Sequence, residues 1–375
     1  MISPIISLSM GITNCISSEI KEIAKECSEI NSCYQYSDPR GISLLRELIA
    51  KELSGKYLYS FTKENILITT GAISAVYLSL LNSLNIDDEV LVPWPAYFSY
   101  VKQIELIRAK PVFFNCFQKN DLDILEEIKQ RISLKTKAII LCTPNNPTGK
   151  IISASDISKI ASFCKNNNIV LIVDETYSNL IYQNNDNDNF KQFFENIILV
   201  KSFSKDLGVS GLRVGYICAE KNIVNKIAPT AETLAICPPT LSQEILLKTL
   251  QKGIFNSLVD SQRNYLSENL NLICSYLDEL RGYFDYDKPE GGMFIFAKLV
   301  RNDGDDQKFC QDLLETTGVL ISPGSKFSAP GYVRFSFGAK KEEIQEAFKR
   351  IQQNIYKLKT VNLGIQNENT ISKRS

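Results

Sequence analysis

What most limits how this chain can fold is an alternation. Seven short apolar runs, at 66–69, 89–93, 111–114, 138–142, 169–174, 197–200 and 214–219, are separated for the most part by stretches of helical spacing at 74–84, 98–107, 124–131 and 156–166. The second through fifth runs are nearly continuous in apolar residues, the pattern of strands covered by helices on both faces. The alternation predicts an α/β fold built on a mainly parallel, seven-stranded sheet flanked by helices. After Ala219 the pattern turns mostly helical, with Pro229 and Pro238-Pro239 as expected interruptions, and a long amphipathic stretch at 255–280 reaches toward a second part. There, 294–297, 319–321 and 333–337 read as short strands before a helix at 341–356. Near the start, a helical pattern covers 17–30, and Tyr34 to Gly41 is a turn rich in breakers. Ser43 stands where it would cap a helix bearing Leu44, Leu45, Leu48, Ile49 and Leu53. The expected division is a large domain of residues 38–275 and a smaller α+β domain made from 1–37 and 276–375. The polar stretch 183–189 reads as a solvent-facing loop and the tail from Lys357 as frayed.

At 375 residues the chain can bury two cores. Lys+Arg and Asp+Glu both total 42, so no net field draws nucleic acid or anionic lipid. No apolar run approaches the roughly 18 residues of a membrane span. The start, Met1-Ile-Ser-Pro4, lacks the basic residues of a secretory signal, and the ten cysteines contain no C-x-x-C pair, so they read as reduced thiols of a cytoplasmic protein. The chain has no histidine. Ser–His and Cys–His pairs and most zinc sites are thereby excluded, no metal is expected, and proton transfer falls to Lys, Tyr, Asp, Glu or a cofactor.

Polar residues gather where the runs end. The run 197–200 leads into Ser202-Phe203-Ser204-Lys205, and Arg213 follows eight residues after the lysine. Hydroxyls and an arginine beside a lysine can hold a phosphate and a carbonyl carbon together, as a Schiff base with a phosphorylated aldehyde requires. A surface lysine on a Ser/Gly loop is the plain alternative. The run 169–174 ends in Asp174, with Tyr177 three residues on. A carboxylate there is costly unless paired, and it suits either a pyridinium nitrogen or the cap of a following helix. Pro144-Asn145-Asn146-Pro147-Thr148-Gly149 is either a plain turn or a ligand-binding loop, projecting the Asn146 amide at the carboxyl end of a central strand. Arg334, inside an apolar stretch, needs a carboxylate from a substrate or from the protein itself. Thr69-Thr70-Gly71-Ala72-Ile73 is a strand-to-helix turn whose free N–H groups form a weak anion-site signal.

Taken together, Asn-Asn-Pro-Thr-Gly, Asp-Glu-Thr-Tyr, Ser-Phe-Ser-Lys with its arginine, and Val-Arg-Phe-Ser-Phe resemble the class I/II aminotransferases, fold type I pyridoxal 5′-phosphate enzymes, over nearly the whole chain. The resemblance implies that Lys205 is the Schiff-base lysine and proton carrier, and that Asp174 pairs with the pyridine nitrogen. Tyr177 and Asn146 would bond the 3-oxygen. Gly71, Ala72, Ile73, Ser202 and Arg213 would hold the phosphate, and Tyr97 would stack on the ring. Arg334, with Asn146 and the backbone near Gly11, would bind the substrate carboxylate. Tyr36 matches the family tyrosine that reaches the neighbouring subunit's phosphate, which implies a homodimer. Tyr100 stands where some relatives carry a histidine behind the aspartate.

The implied reaction is transamination of an L-amino acid with a 2-oxo acid. The same residues also serve elimination, replacement or cyclisation at Cβ or Cγ, as in aminocyclopropane-carboxylate synthase-like or capreomycidine synthase-like relatives. Two departures keep that rival in view: a shorter segment before Gly11, and Gly11-Ile-Thr-Asn where relatives have a glycine followed by Pro-Asp. They imply a remodelled pocket entrance. Ile73 replaces a more usual polar residue in the phosphate turn. No second arginine marks itself out to select a dicarboxylate, so acidic amino acids are not the expected substrates. A sensory domain of a transcription regulator is a third class, disfavoured because no basic helix-turn-helix segment precedes Tyr34.

Overall fold

The computed structural model describes residues 4–14, 16–117, 123–182, 195–300 and 305–358. The loop 183–189 and the tail beyond 358 lie outside the described residues.

A two-residue strand, β1 (Ile6–Ser7), opens the chain. The central sheet follows from β2 (Ile66–Thr69), β3 (Glu89–Trp94), β4 (Lys110–Asn115), β5 (Thr136–Cys142), β6 (Val170–Asp174), β7 (Ile197–Ser202) and β8 (Gly215–Ala219). These seven strands lie in the order β2-β8-β7-β6-β5-β3-β4. Neighbours from β7 through β4 are parallel, and only β8 runs antiparallel to both of its partners. The sheet is therefore the mainly parallel one that the alternation predicts.

Every residue of β7 and β8 is buried, while β4 is only half-buried. The expectation that the run 111–114 is covered on both faces is corrected here. β4 is the edge strand, where Pro111 leaves no ladder N–H of a central strand unmet.

The second part holds β9 (Phe284–Tyr286), β10 (Phe294–Leu299), β11 (Val319–Leu320), β12 (Ser322–Pro323) and β13 (Tyr332–Ser336). Four of these form an antiparallel sheet in the order β12-β13-β10-β9, and β11 pairs in parallel with β1. The run read at 319–321 thus divides at Ile321 between two partners. Leu270, Ile273, Phe284, Ile295, Phe335 and Phe348 lie in its core. The helix Phe255–Glu279 joins the two parts: Phe255 and Val259 pack with the large sheet, and Leu266 to Leu277 with the small one. The helix Ser18–Ser28 lays Ile20, Ile23 and Cys27 on the large core.

Two local expectations fail. Pro229 lies inside the helix Lys221–Ala235, which Val224, Ile227 and Ala228 hold in place by burial. Ser43 is the first helical residue rather than a cap. Ile42 takes the cap position, and its N–H donates to Gln243 Oε1 at 2.8 Å, a partner far along the chain. Among the described residues no helix is long and apolar enough to cross a membrane, and no cluster of metal-ligating side chains occurs.

Candidate active site

β5, β6 and β7 are parallel neighbours, so their carboxyl ends share one edge, with Cys142 opposite Asp174 and Asp174 opposite Val200. Open α/β sheets bind ligands at such an edge. A cavity of about 350 Å³ lies there, lined by Gly11, Ala72, Ile73, Tyr97, Asn146, Asp174, Tyr177, Ser202, Lys205, Arg213 and Arg334. Of the residues singled out in the sequence, Gly71 borders this cavity through Arg213, and Tyr36 alone is remote, 78% exposed on the surface.

Asp174 closes β6 with its carboxylate inside the protein. Tyr100 Oη donates to Oδ2 at 2.7 Å, while Thr176 donates to Oδ1 through its N–H at 3.0 Å and its hydroxyl at 2.6 Å. Burial holds the carboxyl above its usual range, although these bonds pull the other way. No helix begins directly after Asp174 among the described residues, so the helix-cap reading fails; the carboxylate is held by a local turn at Thr176 and faces the cavity.

Lys205 lies on the short helix Phe203–Asp206 directly after β7. Its Nζ donates to the Gly11 carbonyl. Burial first, then the nearby Arg334 and Arg213 guanidiniums, lower its pKa to about 8. Arg334, on β13, donates from Nη1 to Asn146 Oδ1 at 2.8 Å and from Nη2 to the Ser9 carbonyl at 2.6 Å. Its guanidinium lies 3.8 Å from the Phe294 ring centre and 4.5 Å from that of Phe327. No internal salt bridge of the described residues engages it, and burial lowers its pKa to about 10.

The residues expected to hold a phosphate converge as well. Gly71 precedes the helix Ala72–Leu81 at φ 85° and ψ 170°, a conformation close to glycine-only. A Cβ at Gly71 would lie 2.7 Å from Arg213 Nη2. The first N–H groups of that helix have no intrahelical acceptor. Among the described residues, Arg213 donates only to the carbonyls of Ser210 and Thr70, at 2.8 and 3.4 Å.

These observations test whether pyridoxal 5′-phosphate fits. The cavity lining carries four cations, Lys205, Arg213, Lys326 and Arg334, against one carboxylate, Asp174. Ser204 Oγ and Arg334 Nε are buried without a partner among the described residues. A dianionic phosphate suits Arg213, the open helix end and the serine hydroxyls. A protonated ring nitrogen suits Asp174, and an aldehyde suits the Lys205 amine. The residues present fit the group. Ser204, one of the two hydroxyls read beside Lys205, lines the cavity too, whereas sequence reasoning passed over Ser9, Phe294 and Lys326, which nothing in the linear order marks.

The family model for aminotransferases of class I and II matches residues 5–351. An aspartate aminotransferase of Thermotoga maritima is 32% identical over 321 residues, covering 85% of this chain and 82% of that one. Aromatic-amino-acid aminotransferase 2 of Thermococcus litoralis is 29% identical over 368 residues, covering 96% and 94%. The crystal structure of the Thermotoga maritima aspartate aminotransferase superposes with a TM-score of 0.85 at 29% identity, covering 94% of this chain and 92% of that one. That of an aromatic aminotransferase from Pyrococcus horikoshii gives 0.86 at 29% identity, covering 95% and 96%.

Proposed function

The chain belongs to the class I and II aminotransferases, and from that premise we propose that Lys205 is its working amine and Arg334 the anchor of the amino-acid carboxylate. The enzyme is a transferase dependent on pyridoxal 5′-phosphate, as its family is. When bound, that cofactor supplies an aldehyde that condenses with amines and a ring that draws electrons from Cα.

One observation carries the reading. The same N-terminal turn touches both groups, the Ser9 carbonyl on Arg334 and the Gly11 carbonyl on Lys205. Two residues of backbone span at most about 7 Å, so amine and guanidinium lie within reach of one small amino acid. Lys205 would take the proton from the substrate Cα and, for transamination, return it to the carbon on the far side of the substrate nitrogen. Tyr100 and Thr176 hold Asp174 in place so that its carboxylate keeps the ring nitrogen protonated. With the cofactor bound, Asn146 and Tyr177 would bond the ring's 3-oxygen and Tyr97 would lie against the ring face. Gly71, Ala72, Ile73, Ser202 and Arg213 hold the phosphate. Arg334, supported by Asn146 and the backbone near Gly11, orients the substrate so that its Cα–H faces Lys205.

A second copy of the chain would bring Tyr36 to the phosphate, making the enzyme a homodimer. Residues 38–275 form the cofactor-holding domain in this reading and 1–37 with 276–375 the smaller one, with the helix Ser18–Ser28 seated on the larger. The substrates are an amino acid and a 2-oxo acid. The relatives named for aspartate lend no support to the expectation that dicarboxylic substrates are excluded.

Purified protein given the cofactor should show the visible band of its lysine-bound form, and Lys205→Ala should abolish it. Adding a substrate amino acid should discharge the band, and a 2-oxo acid should restore it. A wild-type protein without the band would overturn the proposal. Product release with the band retained would instead assign Cβ or Cγ elimination or cyclisation, the rival chemistry open to the same residues.

A further inference from the structure

We infer that the protein has a second ligand site, apart from the cavity of Lys205, and that this site takes a small aromatic carboxylate.

β10 and β13 pair antiparallel, and the alternation of side chains gives their sheet two faces. Ile295, Ala297, Val333 and Phe335 lie in the core of the smaller part. The opposite face carries Arg334 paired with Phe296, and Tyr332 paired with Lys298. Arg334 lines the active-site cavity. Phe296, Tyr332 and Lys298 line a separate cavity of about 410 Å³, to which the large sheet and its loops contribute Trp94, Phe117 and Lys150.

That volume lies within the roughly 300–1,000 Å³ of small-molecule sites. A water-filled seam is the ordinary account of a space between two packed parts. Buried water, however, is held by polar groups, and four of these six residues are aromatic. Trp94 already donates its indole N–H to the Ser328 carbonyl at 2.7 Å, which leaves its carbon surface for the cavity. Phe296 and Tyr332 are stacked, with ring centres 4.9 Å apart and planes 6° from parallel. A flat ring can extend such a platform.

The charges set the sign of the ligand. Of the lining groups, Lys150 is paired with Asp287 at 3.7 Å, and Asp285 lies 3.8 Å from Arg281 outside the cavity. Lys298, exposed at the rim, has no carboxylate partner among the described residues. The unmatched charge is positive, so a planar ring bearing one carboxylate answers the rings and the cation together.

The two cavities share a wall. Tyr97 and Phe98 of the first pack in one cluster with Trp94, Phe296 and Tyr332 of the second, around the buried Phe327. Trp94 is the only tryptophan in the chain, so its emission reports on the second cavity directly.

The test titrates phenylacetate and cyclohexylacetate, equal in charge and different in the ring, into holoenzyme while tryptophan fluorescence is followed. Phenylacetate should give a saturable change with an affinity about threefold or more above that of cyclohexylacetate. Lys298→Met, at an exposed position, should weaken phenylacetate about threefold. Adding Tyr332→Leu should bring the loss to about tenfold. Neither residue lines the Lys205 cavity, so both variants should keep the visible band of the lysine-bound cofactor. Arg334→Gln, which removes the proposed carboxylate anchor of the first cavity, should leave the titration in place. No saturable change, or equal affinity for the two acids, would overturn the inference. So would a titration that Arg334→Gln abolishes and Lys298→Met leaves untouched, because the acid would then sit in the first cavity.

Discussion

With the cofactor removed, the Lys205 amine becomes an acid whose strength the cavity sets, and its titration can be followed. Burial takes water from the ammonium, and the Arg334 and Arg213 guanidiniums repel it, in that order of size. The pKa falls from the usual 10.5 to about 8. The sign follows directly: the neutral, nucleophilic form is gained above about pH 8 instead of above 10.5. At about pH 7.5, roughly a quarter of such amines are neutral, against roughly one in a thousand for a free lysine, a difference of about 200-fold in reactive form. Apoenzyme mixed with pyridoxal 5′-phosphate at concentrations below saturation should therefore develop its visible band at a rate that rises with pH and levels off above about pH 8. Arg334→Gln removes the larger of the two charge effects and leaves most of the burial. Its inflection should move upward while remaining below 10.5. A wild-type inflection near 10.5, or an inflection unmoved by Arg334→Gln, would refute the electrostatic account of this amine.

Two further outcomes follow from the surrounding structure. Glu175 accepts from Lys201 Nζ at 3.1 Å and from Tyr57 Oη at 2.8 Å, with both members of the ion pair buried. Glu175→Gln leaves the ammonium without its counter-charge and should cost about 3–5 kcal/mol of stability in urea unfolding; adding Lys201→Met should recover part of the loss, and a neutral single variant would contradict the burial. Gly71→Ala places a Cβ 2.7 Å from Arg213 Nη2 at a backbone angle few other residues adopt. It should weaken cofactor binding about tenfold, or about 1.4 kcal/mol, as measured by titrating apoenzyme; unchanged affinity would remove Gly71 from the phosphate side.

How legible this was depends on what determined each feature. The strands of the large sheet were readable because burial between two helical layers forces continuous apolar runs; Asp174 stood out as the carboxylate closing one such run and Lys205 as the lysine of the polar turn that follows another. Their adjacency was not readable, since it comes from β6 pairing with β7. Strand order also makes Pro111 an edge residue, although its neighbours are as apolar as those of a central strand. Ser43 looked like a cap because local chemistry favours it, but Gln243 supplies the hydrogen bond from about 200 residues away. Lys326 was invisible for a similar reason: nothing near it in sequence shows that its turn faces Phe98.

The N-terminal turn has a consequence for how the protein comes into being. The residues proposed for the phosphate side, from Gly71 to Arg213, leave the ribosome well before Arg334, more than about a hundred residues later. At the usual 5–20 residues per second, that gap is roughly 6 to 24 seconds. The Ser9 segment meets Arg334 only at its end. For that interval a nascent chain carries Lys205 without Arg334, the larger of the two charges that lower the amine's pKa and the proposed anchor of the substrate carboxylate, so the lysine's full reactivity and its selectivity arrive in the same step.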